Sequence, residues 1–242
     1  RHGIRREERV AMLVHDVIEF PVIFWGAIKA GVIPVAVNTM LTAEQYRFIL
    51  SDSRARALFI SAPLLETVAP LLDELPDLKT LFVIGAESGH GLPFSPELEA
   101  SAPASPVAVS PDETAFWLYS SGSTGEPKGV RHIHAALQAT ADTYGRQVLG
   151  IREDDTIFSA AKLFFAYGLG NGMTFPMSVG ATTILLPTRP TPEAVFNILT
   201  THQPTLFCGV PTLYAAMLGD VGDAIPGSGR LRLSISAGEA LP

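Results

Sequence analysis

The densest concentration of reactive side chains is Tyr119–Gly129, reading YSSGSTGEPKG. Four hydroxyls (Ser120, Ser121, Ser123, Thr124), three glycines (Gly122, Gly125, Gly129) and one cation, Lys128, share that stretch. Glycine admits positive φ and lets a backbone approach a ligand closely. Successive backbone N–H groups then converge on an anion, hydroxyls add neutral donors, and Lys128 adds a full positive charge. The inventory suits a polyphosphate. A P-loop of the form G-x-x-x-x-G-K-[ST] is a different object. Counted from Gly122, its second glycine falls on Pro127, and Gly129 stands where it needs a hydroxyl for Mg2+. An unliganded Ser/Gly-rich surface loop is the competing reading, and the placement directly after an apolar strand weighs against it.

The remaining reactive residue types are expected to be structural. His132 and His134 stand two apart at a strand-to-helix transition, with no second Cys/His cluster nearby, so packing or capping is expected and no metal site. Lys162 and Arg131 read as surface cations. Cys208 lies in the apolar run Thr205–Cys208 and is expected to be a buried thiol. A lone cysteine excludes an internal disulfide framework and fits a reducing, cytoplasmic setting.

The loop needs elements to carry it, and the hydrophobic pattern supplies them. Strand Thr114–Ser120 leads into it and helix His134–Leu149 follows. Upstream, a strand at Val10–Val14 precedes a helix opened by a capping box, Asp16 with Glu19, and running to about Ala30. Pro21 is tolerated in its first turn, Gly31 caps it, and Val32–Val37 is the next strand. Thr42 with Gln45 repeats the capping signal for a helix ending near Asp52. Then come strand Ala57–Ile60, helix Leu64–Leu75 and strand Thr80–Ile84. Ala86–Asp112, rich in Pro, Ser, Gly and Ala, reads as a long connection. Downstream, strands at Thr156–Ala160, Ala181–Leu186, Thr205–Cys208 and Leu231–Ser236 alternate with helices around Leu169–Val179, Pro192–His202 and Pro211–Leu218. Such alternation predicts an α/β fold with two subdomains on mainly parallel sheets. The divisions expected are a first subdomain over 1–104, a linker over 105–112 and a second subdomain over 113–242.

Composition excludes several classes. With 47% hydrophobic residues in 242, the chain can bury one large core or two smaller ones. The net charge of −7, from 17 basic and 24 acidic residues, comes without any long basic run, so no nucleic-acid footprint is expected. The longest apolar stretch, Phe20–Val37, is interrupted by Pro21, Lys29, Gly31 and Pro34 and reads as a buried helix and strand, not a membrane span. The charged N-terminus is no signal peptide. The chain opens on Arg1 without an initiator Met and stops just after an expected strand and turn, so a fragment of a longer protein is expected.

Residues Tyr119–Val130 resemble the phosphate loop of the adenylate-forming superfamily, which holds acyl- and aryl-CoA ligases, luciferases and adenylation domains. Its pattern, [ST]-[ST]-G-[ST]-T-G-x-P-K-G, is filled at every fixed position. Other stretches are similar too: FPVIFWGAIKAGVIPVAVN at Phe20–Asn38, GVPTLY at Gly209–Tyr214 and SAGEALP at Ser236–Pro242. The resemblance implies that Ser120, Ser121, Gly122, Ser123, Thr124, Gly125 and Lys128 hold the phosphates of ATP, with Lys128 and Thr124 taking the catalytic role. Ala237, Gly238 and Glu239 would border the adenine. It further implies Mg2+ and coenzyme A, a missing C-terminal domain with the adenylation lysine, and little acyl-adenylate formation by residues 1–242 alone. A helix start with Pro at its first position explains GVPTLY equally well.

In the superfamily the stretch matching Lys162–Asn171, KLFFAYGLGN, lines the acyl pocket. Phe165, Ala166 and Tyr167 there resemble the pocket of benzoate–CoA ligases, an aromatic wall beside a small residue that suits a flat ring. Tyr144 is a further candidate for the ring's surroundings. Core packing competes for these aromatics, most of all for Phe164 and Tyr144. The absence of Asp and Glu between Lys162 and Gly180 argues against an amino-acid adenylation domain. Another acyl–CoA ligase and a truncated nucleotide-binding module without turnover stay open as alternatives. The sequence is silent on oligomeric state, and a homodimer stays open.

Overall fold

The structure, a computed structural model, describes residues 2–85, 91–120, 126–220 and 227–240. It divides into two compact units, residues 1–136 and 137–242, each with its own sheet. The architecture is α/β with mainly parallel strands.

The N-terminal unit holds β1 (Arg9–Leu13), β2 (Ile33–Ala36), β3 (Ala57–Ser61), β4 (Thr80–Ile84), β5 (Leu92–Pro93), β6 (Thr114–Ser120) and β7 (Lys128–Ile133), in the order β5-β4-β3-β1-β2-β6-β7. Every neighbouring pair is parallel except β6 and β7. Side chains alternate across a strand, so both faces of β1 are used. Ala11 and Leu13 pack toward Tyr46, Ile49 and Leu50 of helix Ala43–Ser53, while Val10 joins Ala57 and Phe82 with Ala27 of helix Glu19–Lys29.

Local signals explain most boundaries. Thr42 Oγ1 accepts from Gln45 N at 3.4 Å and Gln45 Oε1 accepts from Thr42 N at 3.0 Å, the expected reciprocal cap. Gly31, at φ +70°, donates to Ile28 O while Val32 N donates to Ala27 O, a Schellman ending. The capping box expected at Asp16 and Glu19 does not form. Helix Glu19–Lys29 has Ile18 at its N-cap without a side-chain cap, and a backbone turn, Phe20 N to Val17 O at 3.0 Å, meets its first donor. The helix expected over Leu64–Leu75 is broken into a 3₁₀ turn, the short helix Leu65–Val68 and a second 3₁₀ segment, because Pro70 removes a backbone donor that a continuous helix would use. The connection expected over Ala86–Asp112 contains β5 and helix Phe94–Glu99, seated by the buried Phe94 edge-on to Phe59 at 5.8 Å.

One difference bears on the site. Thr114–Ser120, expected to open the second subdomain, pairs with β2 through Trp117 and Leu118 and joins the first sheet instead. Its buried Phe116 packs against Phe24 at 5.3 Å. The units part between residues 136 and 137, not across 105–112.

The C-terminal unit holds β8 (Thr156–Ser159), β9 (Thr182–Ile184), β10 (Leu206–Gly209) and β11 (Leu233–Ser236), all parallel, in the order β11-β10-β8-β9. Phe158 and Phe207 face helices Pro192–His202 and Pro211–Asp220, while Ile157, Leu206 and Cys208 face Ala141 and Phe175. The expected helix His134–Leu149 is α-helical to Thr140 and π-helical over Ala141–Val148. The Gly-rich helix starts at Ala166 and has its own π segment, Gly170–Thr174.

At the amino ends of these strands Asp155, only 4% exposed, accepts from Thr205 Oγ1 at 2.7 Å, Arg152 N at 2.8 Å and Arg232 Nε at 2.9 Å. Burial pushes its pKa up, but Arg232, Thr205 and the Arg152 N–H together overcome this and hold it down at about 2. A depressed carboxylate contributes stability that is full above its ordinary value of 3.8 and is lost as pH falls from there toward about 2. Asp155→Asn is therefore expected to cost about 2–3 kcal/mol at neutral pH, less than a fully buried pair because Arg232 keeps contact with water. Thermal melts of wild type and variant against pH check this: the gap narrows on acidification through that window.

Candidate active site

The stretch expected to hold the phosphates joins β6 to β7, a strand that the hydrophobic pattern does not mark. The two strands pair antiparallel, with Ser120 opposite Lys128, Tyr119 opposite Gly129 and Leu118 opposite Val130. Ser120 and Lys128 are thus brought together as the facing, exposed ends of a hairpin. Ser121, Gly122, Ser123, Thr124 and Gly125 lie outside the described residues. Gly129 serves a different purpose from the positive φ expected of loop glycines, since its φ is not positive. A Cβ there would stand 3.2 Å from Tyr119 Cζ and 3.3 Å from Trp117 Cε3, so its bare backbone is what lets both rings lie across the hairpin. Tyr119 OH donates to Asp52 Oδ2 at 2.5 Å. Burial first, then Asp52, raises the Tyr119 pKa, so the phenol stays protonated. Arg9 donates to Ser53 O at 2.7 Å and stands 5.8 Å from the centre of the Trp117 ring.

In the C-terminal unit the expected substrate residues gather at one edge. Parallel strands end together, and open α/β sheets bind ligands beyond the carboxyl ends of their strands. Cys208 pairs with Ser159, and Gly209 with Ser236, so β8, β10 and β11 finish in line. Phe165, Ala166 and Tyr167 follow β8, whereas Ala237, Gly238 and Glu239 follow β11. Phe165 is 43% exposed and Ala166 is exposed as well, while Phe164 is 3% exposed and belongs to the core, its ring 4.5 Å from that of Phe165. Tyr167 does more than offer a ring. Its hydroxyl donates to Gly209 O at 3.1 Å and reaches Ile235 O at 3.3 Å, tying the segment after β8 to the ends of β10 and β11. Tyr214 OH donates to the same Ile235 O at 2.9 Å. Gly238, at φ +100°, turns the chain back so that a Cβ there would be 3.9 Å from Val210. The SAGEALP turn and the start of GVPTLY are therefore neighbours, as are the GVPTLY tyrosine and β11.

The structure also places the other candidates. Tyr144 is 37% exposed, with its ring 6.0 Å from Phe175. Lys162 Nζ donates to Leu186 O at 2.5 Å and Thr188 O at 2.6 Å, holding the 185–188 segment. His132 stacks on Phe116 at 4.5 Å, and burial lowers its pKa. Cys208 is buried, and burial pushes its thiol up to about 12, far from a nucleophile's range. Among the described residues no group of three or more His, Cys, Asp or Glu stands where it could hold a metal, and no helix is long and apolar enough to cross a membrane.

Several known proteins are similar to this chain in sequence and fold. The chain is 52% identical over 99% of its length to a benzoate–CoA ligase of Thauera aromatica, and 49% identical over its whole length to a 4-hydroxybenzoate–CoA/benzoate–CoA ligase of Rhodopseudomonas palustris. It spans 45% of the length of each of these curated relatives. The crystal structure of a benzoate CoA ligase from Burkholderia xenovorans superposes with a TM-score of 0.90 at 47% identity, covering 99% of this chain and 47% of that one. Residues 1–242 match the AMP-binding enzyme family from end to end, and the chain belongs to that family.

Proposed function

We propose that this chain is the N-terminal part of an ATP-dependent ligase that activates a benzoate-type acid to its acyl-adenylate and passes the acyl group to coenzyme A. The observation that carries the reading is identity near one half to aryl–CoA ligases over the whole chain, phosphate loop included. A carboxylate oxygen attacks the α-phosphorus of ATP and pyrophosphate leaves. The CoA thiol then attacks the activated carbonyl carbon, and AMP leaves with the former carboxylate oxygen. Both partners in the first step are anions, so the protein's work is alignment and charge stabilisation.

In this reading Lys128 and Thr124, with Ser120, Ser121, Gly122, Ser123 and Gly125, grip the triphosphate. Ala237, Gly238 and Glu239 border the adenine, mostly through backbone. Phe165 and Ala166 offer an exposed aromatic-and-small surface to the ring, and the tethered Tyr167 fixes the segment that carries them. Mg2+, when bound, neutralises triphosphate charge. The cytoplasm, where ATP and CoA are both available, is the compartment this reading assigns.

The test is AMP formation by the full-length enzyme against a panel of acids with CoA present. Benzoate and its hydroxylated relatives are expected to be turned over well and octanoate poorly, whereas a preference for octanoate would remove the aryl assignment. Residues 1–242 alone are expected to yield little acyl-adenylate, because the adenylation lysine of the superfamily lies in its C-terminal domain. Pyrophosphate exchange by the isolated chain at full-length rates would contradict that division of labour.

A further inference from the structure

Building on the nucleotide reading above, we infer that Tyr119 and Asp52 are positioning residues for adenylation, their hydrogen bond fixing the hairpin ends Ser120 and Lys128 against helix Ala43–Ser53. β7 is the outermost strand of its sheet, and Lys128–Arg131 are exposed, so β7 takes its place from β6 and from what lies on the hairpin. Tyr119 supplies that hold. Its ring lies on Gly129, the residue opposite it in register, and its hydroxyl reaches Asp52 at 2.5 Å. One side chain thereby joins the helix to both strands, one residue from Ser120 on one side and across from the neighbour of Lys128 on the other.

Ordinary stability does not ask for this pair. The ring could pack on Gly129 without a hydroxyl, as phenylalanine does. Asp52 is exposed and sits in the last turn of its helix, where a negative charge opposes the helix dipole and a cation is preferred. A carboxylate at that unfavourable place, with a short hydrogen bond to the strand that leads into the phosphate loop, is explained by geometry. It sets the direction in which the hairpin ends present a cation and a hydroxyl. Transition-state charge stabilisation is steep in distance, so a small drift of Lys128 costs rate while leaving the fold in place.

The experiment uses the full-length enzyme with Tyr119→Phe, Asp52→Ala, Asp52→Asn and the double variant Tyr119→Phe/Asp52→Ala. Benzoate-dependent ATP–pyrophosphate exchange is read as kcat and as KM for each substrate, beside melting temperature. Tyr119→Phe and Asp52→Ala are each expected to lower kcat/KM for ATP about tenfold, with KM for benzoate within about twofold. The double variant is expected to be no worse than either single one, the signature of a shared contact. Asp52→Asn, which keeps an acceptor, is expected to recover most of the loss, and melting temperatures to stay within about 2 °C of wild type. In parallel, amide hydrogen exchange at Lys128, Gly129 and Val130 is expected to quicken in Tyr119→Phe and Asp52→Ala. Wild-type kinetics and unchanged exchange in both variants would overturn the inference, as would equal losses for ATP and benzoate that track a fall in melting temperature. A wild-type enzyme without pyrophosphate exchange would sink the functional reading instead, and the hydrogen-exchange comparison would still decide whether the pair holds the hairpin.

Discussion

Replacing Lys128 by alanine in the full-length enzyme is expected to lower the rate of adenylation by about 100-fold or more, with binding of benzoate unchanged. Lys128 is the first residue of β7, exposed and opposite Ser120, at the mouth of the loop. Pyrophosphate carries more charge as it departs than it did within ATP, so a fixed ammonium there stabilises the transition state more than the ground state, which appears as a loss in kcat. Arg131 is the control. It lies on the same strand three residues further on, opposite Trp117, roughly 10 Å away at the usual rise per residue. Arg131→Ala removes the same net charge and is expected to change the rate by less than about threefold. Comparable losses in the two variants would mean that net charge matters and position does not. Single-turnover formation of acyl-adenylate, with benzoate binding measured separately, is the measurement.

The largest effect on stability is expected from a glycine. A Cβ at Gly168 would fall 2.0 Å from Lys162 O and 2.4 Å from Ala161 O, distances no real contact shows. Both neighbours are backbone, so no side chain can swing aside. The turn that follows β8 and the helix that opens at Ala166 touch at this point, and Phe165, Ala166 and Tyr167 are carried between them. Gly168→Ala must push the two apart, at a cost of at least about 3 kcal/mol. The displacement also strains the bonds from Tyr167 OH to Gly209 O and Ile235 O. Chemical denaturation gives the loss of stability. KM for benzoate in the surviving folded fraction is expected to rise more than KM for ATP, because the displaced segment is the one assigned to the ring.

Much of this architecture is legible in the sequence because it rests on local periodicity. Strands such as Ala57–Ser61 and Leu206–Gly209 are nearly all apolar, as strands covered on both faces must be. The caps at Thr42 with Gln45 and at Gly31 are local signals, each contained within a few residues. β7 escaped notice because an outer strand need bury little: KGVRHI mixes charges, a glycine and a histidine, with none of them fully buried. β5 is two residues long and offers no period at all. A Pro- and Ser-rich stretch looks like a linker, while the choice of sheet for Thr114–Ser120 is made by pairing with β2, far away in sequence.

The site divides the same way. The phosphate loop is a contiguous motif and can be read from its residues. The partner of Tyr119 lies 67 positions earlier, on a helix whose sequence shows only amphipathic spacing. For Tyr167, sequence reading foresaw an aromatic wall, whereas its hydroxyl is committed to carbonyls of two other strands. A hint was present, since GVPTLY and SAGEALP were both recognisable, but that Tyr167 and Tyr214 meet at Ile235 O depends on the β10–β11 register.

Carboxylate attack on the α-phosphorus of ATP can be tested with benzoate labelled with oxygen-18 in both carboxylate oxygens, incubated with the full-length enzyme, ATP and CoA. Mass spectrometry of the products should find a single heavy oxygen in the phosphate of AMP, one heavy oxygen in the thioester carbonyl and none in pyrophosphate. Unlabelled AMP, or the heavy atom in ADP or inorganic phosphate, would show that this hairpin serves a different reaction.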